Sequence, residues 1–194
     1  FSEPVDPASV DPNTVRLIAS GGDGIFGNAN DRTVNVLAVQ YDPSTRRALL
    51  FPSASLDEDV YRVRIRTVRD LAGNALDGDR DGFGGGDYTS EFQIDRTPPQ
   101  VTANLSDGSD TGLLKDNRTN RPSDIIFGGS VSDGLAGSAG NYTVRLDVDG
   151  DGFDDGQTTT DALGDFAVAT PAGFRAEGTQ LVWLMVTDRA GNST

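Results

Sequence analysis

YRVRIRTVRDLAGN, residues 61–74, and QLVWLMVTDRAGN, residues 180–192, close two halves of the chain with the same device. In the first, Tyr61, Val63 and Ile65 alternate with Arg62, Arg64 and Arg66. That period of two puts apolar side chains on one face of a strand and charge on the other. Each strand then runs into Asp-x-Ala-Gly-Asn, as VRDLAGN at 68–74 and VTDRAGN at 186–192. Gly supplies the positive φ of a tight turn, and Asp and Asn flank it. A repeat of about a hundred residues made of strand and turn predicts an all-β chain of two tandem β-sandwiches. In the first half a further strand, YTSEFQI, follows the motif, whereas the second half ends there. The first unit is therefore expected to begin inside its first strand and the second to lack its last.

The rest of the chain fits this pattern. Strands are predicted at 15–19, 33–41, 47–52, 88–95, 101–105, 125–131, 142–148, 157–162, 165–170 and 180–188. TVNVLAVQY (33–41) is apolar on both faces, which predicts a central or covered strand, and QLVWLMVTD (180–188) is a late strand also apolar on both faces. DPSTR (42–46) is a turn joining two strands as a hairpin. RTPPQ (96–100) stiffens and extends the chain, and a short Pro-containing linker there divides it into residues 1–97 and 98–194.

Composition excludes several functions. The net charge of −14 argues against nucleic acid and against an anionic membrane surface. No run is long and apolar enough to insert in a membrane. Without His or Cys there is no His-based triad, no imidazole or thiolate zinc site and no disulfide. Lys115 is the only Lys, so a Lys–Asn crosslink in each half is impossible. The Arg62–Arg64–Arg66 row reads as a solvated strand face that discourages edge pairing. A polyanion-binding strip is the other reading, and the overall charge runs against it.

Nearly all of the acid is Asp, a poor helix former and a good turn and metal residue. DVDGDGFDDG (147–156) places Asp147, Asp149, Asp151 and Asp155 on a Gly-bearing loop directly after a strand. Ca²⁺ takes six to eight oxygens, and alternate Asp side chains on a curled loop can converge on one ion. Position twelve is Thr158 rather than Glu, and flanking helices are absent, so this is not an EF-hand. DGDRDGFGGGD (77–87) is a second such loop.

The order of FSEPVDPASV, YDPSTRRALLFPSASL and YRVRIRTVRDLAGNAL resembles bacterial immunoglobulin-like repeats of surface and S-layer-associated proteins. DRTPP, SDTGLLKDNRTN and the terminal VTDRAGN are similar to repeats of large bacterial adhesins. The resemblance covers nearly the whole chain through short motifs, and DVDGDGFDDG departs from the adhesin pattern as an insertion. It implies Ig-like sandwiches strung end to end outside the cell, often stiffened by Ca²⁺ at junctions, with neighbouring repeats of the parent protein as partners. DVDGDGFDDG itself resembles the calcium loops of integrin α-subunit propellers. By that resemblance Asp147, Asp149, Asp151 and Asp155 give side-chain oxygens and Phe153 its carbonyl. In the other loop Asp77, Asp79, Asp81 and the Phe83 carbonyl match, but the ninth residue is Gly85, so Asp87 or water takes its place. By resemblance to adhesin junctions, Asp95, Asp107, Asp110 and Asp116 could share an ion with Asp70 or Asn74; capping of loop backbone by these side chains is the alternative.

Three functions compete. A calcium-stabilised structural or adhesive segment of an extracellular bacterial surface protein leads. A Ca²⁺-dependent carbohydrate- or protein-binding accessory module is second, with Trp183 and Met185 as candidate contacts for a surface glycan or protein ligand. Trp183 would point away from a core lined by Val182, Leu184 and Val186, and packing under a neighbouring loop is the alternative. An enzyme is the third and is not expected, because the acids stand in metal-like spacing and no nucleophile motif is present.

Overall fold

Apolar alternation needs a second layer to bury it, and the computed structural model, which describes residues 1–134, 140–175 and 177–194, meets that need with sheets facing sheets. The chain is all-β, its strands pair antiparallel, and a 3-10 turn at Pro7–Ser9 is capped by the Asp6 side chain. It falls into two compact units, Phe1–Ile94 and Asp95–Thr194.

In the first unit, β1 (Val15–Ala19), β2 (Arg32–Thr33), β5 (Asp59–Ile65) and β6 (Tyr88–Ile94) form a sheet in the order β2-β1-β5-β6. A second sheet is the hairpin of β3 (Val36–Asp42) and β4 (Arg47–Pro52). Val15, Leu17, Tyr61 and Val68 are buried, with Val39, Tyr41, Ala48 and Leu50 of the hairpin packed against them. The stretch predicted as one strand at 33–41 is two. Thr33 pairs with Ile18 of β1, whereas Val36 pairs with Pro52 of β4. The chain changes sheets between them, so the apolar run is shared by two layers. The expectation of a strand covered on both faces also fails here: Leu37 is 70% exposed, and β4 is the strand that β3 pairs with.

In the second unit, β7 (Gln100–Leu105), β8 (Ile126–Ser132) and β11 (Asp165–Ala169) form one sheet, in the order β11-β8-β7. β9 (Thr143–Asp147), β10 (Gly156–Thr159) and β12 (Trp183–Thr187) form the other, in the order β10-β9-β12. Val144 and Leu146 of β9, Val186 of β12, Val131 of β8, and Phe166 and Val168 of β11 meet in one core. β8 and β7 approach so closely that a Cβ at Gly129 would overlap the Thr102 carbonyl oxygen. The middle of the turn read at 133–141 lies outside the described residues.

Candidate metal centre

The strand β9 delivers the acidic loop. Val144 and Leu146 face the core, so Asp147 ends the strand at its rim, and Gly156 pairs back onto Leu146 to start β10. DVDGDGFDDG is thus the turn of a β-hairpin. Gly150 (φ 84°) and Gly152 (φ 149°) take the left-handed angles that curl it. Asp147 Oδ1 accepts the Gly150 N–H at 2.6 Å and the Asp149 N–H at 3.2 Å. Asp155 Oδ2 accepts the Val148 N–H at 2.7 Å across the hairpin. These bonds hold the loop closed and bring Asp147, Asp149 and Asp155 together, with one carboxylate oxygen of each within 4.8 Å of the others. Three hard anionic oxygens at that separation could hold a metal ion, and carboxylates suit a hard cation such as Ca²⁺ or Mg²⁺ rather than a soft one.

Asp151 lies outside that group of three. It is nevertheless close enough to feel it. A hydrogen bond shared with the Asp149 carboxyl raises the Asp151 pKa, and the charges of Asp149, Asp154 and Asp155 raise it further. The loop is a concentration of negative charge that a cation would relieve.

At the end of the loop Trp183 pairs with Asp147 across β9–β12. Trp183 is 46% exposed, on the face opposite the core-facing Leu184 and Val186, as its alternation predicts. A Cβ at Gly150 would meet the ring edge at 3.8 Å, so the indole also rests against the acidic loop.

The second loop has the same local chemistry. Asp77 accepts the Asp81 N–H at 3.1 Å and the Gly82 N–H at 3.0 Å, and Asp81 accepts the Phe83 N–H at 2.8 Å. Asp77, Asp79 and Asp81 form a group within 4.8 Å, all exposed. The Gly85 carbonyl accepts the Gly78 N–H and closes the base of the loop. Asp87 does not join this group. It stands 3.8 Å from both Arg64 and Arg66, which attract it back to β5.

The expected junction set divides. Asp70 accepts the N–H groups of Ala72 and Asn74 and the Asn74 side-chain amide, all at 2.8 Å. Asp188 repeats this with Gly191 and Asn192 at 2.7 to 2.9 Å. The shared D-x-A-G-N motif is therefore a self-capped turn in which Asp and Asn serve each other. Asp95 groups with Asp133 and Asp188, which sequence reading did not select, rather than with Asp107, Asp110 and Asp116. Asn192 Nδ2 donates to the Asp95 carbonyl at 3.3 Å and ties this group to the motif. Tyr142 is buried nearby, and burial, then the charges of Asp133, Asp188 and Asp95, push its hydroxyl pKa up. Asp110 is buried at 3% exposure; its Oδ2 accepts the Lys115 N–H at 2.6 Å, and its Oδ1 has no partner among the described residues.

No family model and no curated protein matches this chain. Among solved structures, surface layer protein SbsC, domains 1–6, is similar at 14% identity with a TM-score of 0.35. The match covers 100% of this chain and 31% of that one.

Proposed function

We propose that this chain is a calcium-stabilised structural segment of an extracellular bacterial surface protein, built of Ig-like sandwiches and without catalytic activity of its own. The observation that carries this reading is the convergence of Asp147, Asp149 and Asp155 on a closed hairpin turn at the rim of a sandwich. The Asp77–Asp79–Asp81 loop repeats it in the other unit. Without metal the carboxylates repel one another. Ca²⁺ neutralises them, orders the loops and stabilises the folded chain because the unfolded one has no such site. Neighbouring repeats of the parent protein are its natural partners.

Extracellular sites of this kind bind at about 10⁻⁴ to 10⁻³ M. Calcium at a hundred times Kd adds about 2.7 kcal/mol per site, a rise in Tm of roughly 10 to 20 °C for a unit of this size. Thermal melting in EDTA and in calcium measures it, and identical transitions would sink the proposal. Asp147→Asn should abolish most of the calcium-dependent part contributed by the second unit.

One observation favours a second reading, a calcium-dependent ligand-binding module. Trp183 presents an exposed indole beside the acidic loop. Glycan binding that requires both calcium and Trp183 would support it. Binding unaffected by Trp183→Ala would remove it.

A further inference from the structure

The second unit spaces asparagine against hydroxyl residues in a way that the first does not. Asn104-Leu105-Ser106, Asn117-Arg118-Thr119, Asn141-Tyr142-Thr143 and Asn192-Ser193-Thr194 each put Ser or Thr two residues after Asn, and Asn120 is the one asparagine of that unit left out. In the first unit the second residue after Asn13, Asn28, Asn30, Asn35 and Asn74 is Val15, Asn30, Arg32, Leu37 and Leu76 in turn. Asn-x-Ser/Thr is the acceptor sequence for N-linked oligosaccharide, and the fold sorts the second unit's asparagines by what their amides already hold.

Asn192 is half-buried, and its Nδ2 donates to Asp188 Oδ2 at 2.9 Å and to the Asp95 carbonyl at 3.3 Å. Asn117 Oδ1 accepts the Leu105 N–H at 3.0 Å, and its Nδ2 donates to Asn104 Oδ1 at 3.1 Å. A sugar on Asn192 or Asn117 would displace those partners, and Asn104 is clamped by Asn117 within β7, opposite Gly128. Asn141 is different. It is exposed, and its side chain makes no hydrogen bond among the described residues. Its φ of 60° continues the left-handed turn begun by Gly140 (φ 77°), a region that Asn tolerates better than most residues. The next residue pins this turn. Tyr142 is 2% exposed, its N–H donates to the Thr160 hydroxyl at 3.1 Å, and its carbonyl accepts the Thr160 N–H at 3.0 Å. Tyr142 points into the core, so Thr143 at the start of β9 faces the other way. The Thr143 hydroxyl also makes no hydrogen bond among the described residues.

We infer that Asn141 is an N-glycosylation site, the acceptor of an oligosaccharide carried on a lipid pyrophosphate. Asn141 Nδ2 attacks the anomeric carbon of the first sugar and forms the N-glycosidic bond. The bond from that carbon to the pyrophosphate oxygen breaks, the lipid pyrophosphate leaves with its electron pair, and Nδ2 gives up one proton. The pinned turn carries the glycan into solvent, and no hydrogen bond to a described residue is lost. This inference is independent of the metal reading.

The test incubates the folded full chain, in calcium, with an oligosaccharyltransferase that is active on a free peptide of residues 140–146, together with its lipid-linked oligosaccharide. Intact mass and glycopeptide mapping give the occupancy. One oligosaccharide per chain, on Asn141, is expected. Asn141→Asp removes the amide, keeps a residue that tolerates positive φ, and should abolish the modification. Asn104→Asp should leave it unchanged. Thr143→Ser should retain it and Thr143→Val, nearly the same shape, should lose it; this pair keeps the test open if Asn141→Asp fails to fold. A native chain left unmodified, occupancy of Asn104, Asn117 or Asn192 ahead of Asn141, or full modification of Thr143→Val would each overturn the inference.

Discussion

Aspartate does three separate jobs in this chain, and its neighbours decide which. Asp59 is an anchor. Burial pushes its pKa up, but the Ser20 hydroxyl at 2.6 Å and the N–H groups of Gly22, Val60 and Gly21 outweigh that and hold it below its ordinary value. Asp59→Ala would leave several buried donors unpaired at about 1 to 3 kcal/mol each; a loss of roughly 3 kcal/mol in urea unfolding is expected. Asp42 is a turn cap, held to a pKa of about 2 by the Ser44 and Thr45 hydroxyls and the Ser44 N–H. It stays charged in the fold where the unfolded chain has already taken up a proton. Its contribution is therefore present above about pH 4 and is lost as pH falls toward 2. Asp42→Asn should flatten that part of the acid transition. Asp151 has the opposite sign, because its pKa is raised by Asp149 and the neighbouring charges. Its contribution is present below the ordinary aspartate value and is lost as pH rises through its folded pKa. In EDTA, Asp151→Asn should remove that decline, and in calcium the difference should shrink.

At the scale of elements, β9 and β8 set the site and the tolerance of the second unit. Leu146 is fully buried one residue before the acidic loop. Leu146→Ala should cost about 2 to 5 kcal/mol and loosen the loop with it. Gly129→Ala tests the close pass of β8 and β7. The added methyl meets the Thr102 carbonyl, and the strands must separate, at a cost of about 1 to 3 kcal/mol. Trp183 is the only Trp and lies against Gly150. Its fluorescence should shift as calcium fills the 147–155 loop and remain unchanged in Asp147→Asn.

At the scale of the molecule, a net charge of −14 makes the compact state repel itself. Sodium chloride should raise Tm modestly by screening, and millimolar calcium should raise it more than sodium chloride of equal ionic strength, because binding at a site exceeds screening. Alternation determined the all-β class, and spacing on Gly-bearing loops singled out Asp147, Asp149, Asp151 and Asp155 with Asp77, Asp79, Asp81 and Asp87, because both are local properties of a few consecutive residues; the fold leaves Asp151 and Asp87 outside the two groups of three. What required the tertiary structure was everything fixed by partners distant in sequence. The split of 33–41 between two sheets depended on which strand each piece met. Asp87 went to Arg64 and Arg66 because β6 pairs with β5. Asp95 met Asp133 and Asp188 through a fold that no spacing encodes. Arg16 met Arg64 only because β1 and β5 pair.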